Sequence, residues 1–282
     1  VCAHPQALAQ CHGWLSNHLP NAERRPVSSN AEAARRARLA DDAAARLVMA
    51  ILEAQSSRGQ ADIVLTGGSM GSEILVSLGR SPARDTIDWR QLNIWWGDER
   101  FLPAGDAERN ETQARQALLD AVPLDPARVH PMPACDGPDG PDVDAAALRY
   151  AVELAKAAPR GRAVPEFDVL MLGLGPDAHV ASLFPEHPAL HEQDASTIGV
   201  RGAPKPPPVR VSMTFPSLCA ARDVWLLVSG PAKAGAVGLA LSGAGRLQAP
   251  AAGAVGTRST TWLLDREAAT HVPTQLIRLA SH

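Results

Sequence analysis

Six short apolar, β-prone runs alternate along this chain with stretches of strong helix formers, and that alternation constrains the fold more than any other feature. The runs are DIVLT at 62–66, LNIWW at 92–96, FDVLMLG at 167–173, VRVSM at 209–213, DVWLLVS at 223–229 and TTWLLD at 260–265. Each is nearly continuous in apolar character, as expected for strands covered on both faces. Between them lie SMGSEILVSLG, NETQARQALLDAV, VDAAALRYAVELAKAA and PAKAGAVGLALSG, which read as helices. Strands alternating with helices predict an α/β fold, a mostly parallel β-sheet with helices on both faces, Rossmann-like in plan.

One long helix precedes the first run. In NAEAARRARLADDAAARLVMAILEAQ, which starts at Asn30, the residues Leu39, Ala43, Leu47 and Ile51 recur at four-residue steps and make one apolar face. Its Arg35, Arg36 and Arg38 are followed at once by Asp41 and Asp42, so that face reads as solvated and mixed in charge. Residues 1–30 mix Pro, His, Asn and Ser without a period and read as a weakly structured N-terminal extension. Residues 31–282 then form a single α/β domain, with the Pro/Gly stretches 133–141 and 202–208 as loops within it.

With 27 basic and 30 acidic residues, a net charge of −3 argues against a surface built to coat nucleic acid or a membrane. A small local basic pocket remains compatible with it. Cys2, Cys11, Cys135 and Cys219 form no CxxC pair, so neither a disulfide framework nor a zinc ribbon is indicated. The N-terminal set Cys2, His4, Cys11 and His12 has a spacing that fits no metal-binding turn and reads as chance. The longest apolar runs fall well short of the roughly 18–20 residues of a membrane span. The start VCAHPQALAQCHGWL lacks a basic segment followed by an apolar one. A cytoplasmic protein is the expectation.

In folds of this class, ligands bind where strands end and loops lead into helices. The first such junction reads Thr66-Gly67-Gly68-Ser69. Its glycines let a backbone approach a ligand, and the following helix start favours an anion. The alternative is a tight turn with Ser69 as helix cap, and no Walker lysine follows. The second junction, Trp96-Gly97-Asp98-Glu99-Arg100, places three charges at a strand end, where a solvated turn is the alternative. The planar fork of Arg100 suits a phosphate, and Asp98 suits sugar hydroxyls. The third, Gly173-Leu174-Gly175-Pro176-Asp177-Ala178-His179, sets a histidine able to accept a proton near neutral pH beside a carboxylate. There the alternative is Asp177 as an N-cap and His179 as an exposed helical residue. Lys205 and Arg210 flank a proline run, and Lys233 stands in the first turn of a helix. A cation there opposes the helix dipole and is better placed facing a bound anion.

The ordered series LTGGS, WWGDERFLP with ERNETQARQALL, FDVLMLGLGPDAHVASLFP, PKPPPVRVSMT and VWLLVSGPAKA resembles the 6-phosphogluconolactonase family, in the superfamily shared with glucosamine-6-phosphate deaminase. The resemblance runs from about Leu39 to Asp265. It implies hydrolysis of 6-phospho-D-glucono-1,5-lactone to 6-phosphogluconate in the pentose phosphate pathway, without a metal or an organic cofactor. It further implies that His179 activates water and that Asp177 orients it. Gly67, Gly68, Ser69, Arg100 and Lys233 would bind the 6-phosphate, Arg210 and Lys205 would complete a positive rim, and Asp98 and Asn110 would shape the sugar site.

Two positions depart from the family pattern. Ala178 stands where the family usually has glycine; if that position is left-handed, alanine costs on the order of 1–2 kcal/mol. The family also has a strand just before its first long helix, where this chain reads NAEAARRA. A deaminase of the same fold is the nearest rival, yet those relatives carry an acidic Asn-Glu-Pro stretch where this chain has Leu183-Phe184-Pro185. A sugar-phosphate sensor would need a helix-turn-helix, and the first 60 residues offer no recognition helix and no basic face.

Overall fold

The computed structural model describes residues 30–276 together with two short strands, β1 (Cys2–Ala3) and β2 (Arg25–Pro26), which pair in parallel. The expectation for the N-terminal extension otherwise lies outside the described residues, as do His4, Cys11 and His12. The long helix α1 spans Asn30–Arg58, and its predicted apolar face, Leu39, Ala43, Leu47 and Ile51, is buried.

The centre is a five-stranded, wholly parallel sheet made by β3 (Ala61–Leu65), β4 (Leu92–Trp96), β6 (Val169–Gly173), β9 (Asp223–Val228) and β10 (Ser259–Leu264), in the order β10-β9-β6-β3-β4. Every residue of β3, β4 and β9 is buried, which is the packing their unbroken apolar runs required. The helices α2 (Gly68–Arg80), α3 (Asn110–Ala117), α4 (Val143–Ala157), α5 (Phe215–Leu218), α6 (Ala234–Leu241) and α7 (Pro250–Gly253) complete the framework. Asp142 caps α4 by accepting from the N–H groups of Asp144 and Ala145.

Three local expectations are corrected. The run VRVSM is not part of the parallel sheet. As β8 (Arg210–Met213) it is the middle of a separate antiparallel sheet, between β5 (Asp98–Arg100) and β7 (Thr197–Val200). The charged triplet Asp98–Arg100 is therefore a strand rather than a solvated turn. Finally, the helix predicted over 110–122 stops at Ala117 and continues as a single 3-10 turn at Leu119–Ala121.

The strand order defines where a ligand fits. The chain builds outward from β3 to β4, then returns to the other side of β3 for β6, β9 and β10. The reversal point lies between β3 and β6, and the loops leaving their carboxyl ends are the Gly67 and Asp177–His179 segments. They touch directly: the Gly173 N–H donates to Thr66 Oγ1 at 3.1 Å.

Candidate active site

The loop after β6 holds the histidine. Gly175 N–H donates to the His179 carbonyl at 2.9 Å and Ala178 N–H to the Gly175 carbonyl at 3.0 Å, which folds the segment into a tight turn. No helix forms here, so Asp177 is not a helix cap. His179 Nδ1 instead lies 2.5 Å from Asp177 Oδ1, and the imidazole is largely buried, with its ring 4.5 Å from that of Phe184. Ala178 has φ of +66°, so the left-handed backbone inferred for this position is present with a non-glycine residue in it.

Burial pushes the His179 pKa down, and the positive charge of Lys205 adds to that; Asp177 and Asp98 pull the other way without reversing it. The imidazole is thus neutral at pH 7. Burial raises Asp177, but the His179 contact and Lys205 outweigh it and hold this carboxyl below the ordinary carboxylate range.

The first junction gives α2 an uncapped start. Its N-cap is Gly67, with no side-chain hydrogen bond, and Ser69 is the second residue of the helix, so Ser69 does not act as the cap. The free N–H groups of this turn are the physical basis for anion binding there. A Cβ on Gly67 would fall 1.8 Å from Asn110 Oδ1, so this glycine is required by the close approach of Asn110.

Asn110 begins α3, is buried, and donates through Nδ2 to the Asp98 carbonyl at 2.9 Å. Asp98 in turn accepts from Ser182 Oγ at 2.7 Å. Ser182, which sequence reasoning missed, anchors the loop beyond His179 to β5. Its neighbourhood of Leu and Phe gave no polar signal.

Arg100 and Arg210 are directly opposed across β5 and β8. Like charges facing each other across strands destabilise a sheet unless something neutralises them. Arg100 Nη1 donates to the Glu108 carbonyl at 2.5 Å. Buried Arg210 donates to the carbonyls of Lys205, Pro206 and Pro207 at 3.1 Å each, and so shapes the proline loop that carries Lys205. Lys233, half-buried, ends the 3-10 turn Pro231–Lys233 and leads into α6. Burial lowers its pKa, Lys205 lowers it further, and Asp177 opposes both. None of these four cations forms an ion pair with a carboxylate among the described residues.

The fold thus brings Gly67, Asp98, Arg100, Asn110, Asp177, His179, Lys205, Arg210 and Lys233 toward the carboxyl ends of the central strands, most of them joined by the contacts above and Lys233 through its charge interactions with Lys205 and Asp177. A groove of about 460 Å³ between α4 and β7 lies elsewhere and gathers Asp144, Glu192 and Asp194 without a lysine or arginine, an unsuitable lining for an anion. Among the described residues no group of three or more His, Cys, Asp and Glu side chains is placed to hold a metal ion. No described helix is long and apolar enough to cross a membrane.

A family model described as glucosamine-6-phosphate isomerases/6-phosphogluconolactonase matches residues 34–262. The chain belongs to the glucosamine-6-phosphate isomerase/6-phosphogluconolactonase family. Within this family it is similar to a 6-phosphogluconolactonase of Streptomyces coelicolor, 62% identical over 245 residues that cover 86% of this chain and 94% of the relative. A 6-phosphogluconolactonase of Mycobacterium tuberculosis is 50% identical, covering 81% and 92%. Among solved structures, 6-phosphogluconolactonase from Trypanosoma brucei superposes with a TM-score of 0.72 at 28% identity, covering 84% and 96%. A monomeric glucosamine-6-phosphate deaminase shares the fold, with a TM-score of 0.69 at 19% identity, covering 84% of this chain and 96% of that one. A prephenate dehydratase model matches residues 1–58, of which 4–24 lie outside the described residues.

Proposed function

We propose that this protein hydrolyses 6-phospho-D-glucono-1,5-lactone to 6-phospho-D-gluconate, the lactonase step of the pentose phosphate pathway, with His179 as general base. The observation that carries the reading is the contact of His179 with Asp177 beside Arg100, Lys205, Arg210 and Lys233, none of which is ion-paired to a carboxylate among the described residues. The high identity to proteins named 6-phosphogluconolactonase supports it.

Nδ1 of His179 faces Asp177 and carries the proton of that hydrogen bond, which leaves the Nε2 lone pair for water. Nε2 removes a proton as the water oxygen bonds to the lactone carbonyl carbon. The resulting tetrahedral oxyanion collapses, the ring C–O bond breaks, and the imidazolium returns its proton to the departing ring oxygen. The product acid then loses a proton to solvent. A lactone is already an activated ester, so one base, an oriented water and nearby positive charge are a sufficient set, and the reaction as proposed requires no metal. Gly67, Gly68, Ser69, Arg100 and Lys233 hold the 6-phosphate, Lys205 and Arg210 form the positive rim, and Asp98 and Asn110 define the sugar end. Phe184, packed on His179, occupies the region where deaminase relatives place an acidic residue, which disfavours amino-sugar chemistry.

The test is a coupled assay with 6-phosphogluconate dehydrogenase, corrected for spontaneous opening, run beside glucosamine 6-phosphate. Wild type should accelerate only the lactone, and His179→Ala should lose most of that rate. Arg100→Ala should raise KM more than it lowers kcat, because a phosphate remote from the reacting carbon gives largely uniform binding. No acceleration by folded wild type rejects the function. An unchanged KM in the arginine variant rejects the phosphate assignment.

A further inference from the structure

Glu99 stands between two residues of the candidate site and was not among those singled out in the sequence. Strand alternation turns it to the face opposite Asp98 and Arg100, where it is fully buried. Its Oε1 accepts from its neighbour's Arg100 N–H at 2.8 Å and from Asn110 N–H at 2.7 Å, and its Oε2 accepts from Glu111 N–H at 2.9 Å. The last two are donors of the first turn of α3. The N-cap of that helix, Arg109, supplies no side-chain cap. It turns inward, donates to the carbonyls of Leu102 and Met132, and lies 3.7 Å from Glu99.

Capping alone does not account for this arrangement. An aspartate or serine at the N-cap itself would satisfy the same donors without taking a charged pair out of water, a desolvation that the pair must then offset. Burial does penalise this carboxyl: its pKa is pushed up to about 7 against the pull of Arg109 and the three N–H groups. What a carboxylate on β5 achieves, and a local cap would not, is a tie between elements. It fastens the strand bearing Asp98 and Arg100 to the helix bearing Asn110, and Asn110 is in turn wedged against Gly67 and bonded to Asp98.

We propose that Glu99 is a positioning residue of the anion-binding half of the site: by locking β5 to the start of α3 it fixes Arg100 opposite Arg210 and holds Asn110 against the Gly67 loop. It touches no substrate. The proposal rests on the reading of the site as one for a phosphorylated lactone, and it assigns Glu99 to recognition of the phosphate rather than to the chemistry at the lactone carbon.

The experiment compares wild type with Glu99→Gln, which keeps the shape but replaces one acceptor oxygen by a donor. Glu99→Asp, which keeps the charge with a shorter reach, serves as a second variant should the first fail to fold. Each is assayed on 6-phosphogluconolactone and on unphosphorylated glucono-1,5-lactone, and titrated calorimetrically with 6-phosphogluconate. The expected result is a rise of about tenfold or more in KM for the phosphorylated lactone and in Kd for 6-phosphogluconate, with kcat changed about twofold or less and a clearly smaller loss on the unphosphorylated lactone, which feels Glu99 only through Asp98 and Asn110. An equal loss on both lactones, which a merely structural role would give, overturns the proposal, as does an unchanged Kd in a folded variant. Failure of wild type to hydrolyse either lactone would instead count against the proposed function, and the calorimetric arm would still decide whether Glu99 governs anion binding.

Discussion

His179 Nδ1 and Asp177 Oδ1 meet in the space that a side chain on Gly175 would fill: a Cβ there would lie 2.0 Å from the nitrogen and 2.3 Å from the oxygen. The pair exists because residue 175 has no side chain. Gly175→Ala must therefore push the imidazole and the carboxylate apart while leaving both groups present. We expect a folded variant whose kcat falls about 10²-fold, near the lower end of what a general base contributes. Circular dichroism and the coupled assay check it, and a variant of normal activity would show that the Asp177 contact is dispensable.

Ala178 carries the opposite lesson. Replacing it with glycine relieves about 1–2 kcal/mol of left-handed strain. It also forfeits about 0.8 kcal/mol of buried methyl and loses about 0.4–1 kcal/mol to the freer unfolded chain. The terms nearly cancel, so Ala178→Gly should change stability by about 1 kcal/mol or less in urea unfolding. Ala178→Val places a β-branched residue at the same positive φ and should be markedly less stable than either.

The pH dependence follows from the lowered pKa of His179. With His179 as the proposed base the neutral imidazole is the active form, so kcat, which Glu99 is not expected to govern, should hold near pH 7 and fall as pH drops through a midpoint below the ordinary histidine value of 6.5. A pH–rate profile corrected for spontaneous hydrolysis reads this directly. Because Lys205 contributes to the lowering, Lys205→Met should move the midpoint upward.

At the other end of the sheet the charges serve stability. Arg258 donates from Nε to Asp223 Oδ1 at 2.9 Å and from Nη2 to Oδ2, and reaches Glu53 at 2.9 Å through Nη1. Asp223 opens β9 and is buried, so Arg258→Met leaves its carboxylate with little beyond Ser259. Because the arginine is partly exposed, the loss should be about 2 kcal/mol, below that for a fully buried pair. Chemical unfolding should show it, with kcat and KM of the folded protein unchanged.

Four of the five strands of the central sheet, β3, β4, β6 and β9, were legible as apolar runs because both of their faces are covered, whereas β10, at the sheet's margin, is exposed at Ser259 and Thr260 and was legible through its Trp-Leu-Leu stretch. The smaller antiparallel sheet was not. β5 is Asp-Glu-Arg, whose charges read as a turn, and β7 is four residues with glycine inside, too short for a period to show. The order of β8 between them depends on long-range pairing that no local pattern records. The histidine, the glycines and the cations were recognisable because each stands at a strand end. Glu99 was not, although a signal existed: if Asp98 and Arg100 of a strand face a ligand, the residue between them faces inward, and a glutamate there demands partners.

The site draws on β3, β5, α3, the loop after β6, the proline loop before β8 and the start of α6, and the parallel sheet beneath it is held by contacts between distant parts of the chain. Parallel pairing is slow to assemble because each crossover must close before its strands can bond. A refolding molecule can thus regain helices, and even compactness, while catalytically silent. Recovery of activity would report the arrival of the last crossover, which makes enzymatic turnover a stricter clock of native assembly for this chain than any spectroscopic measure of its secondary structure.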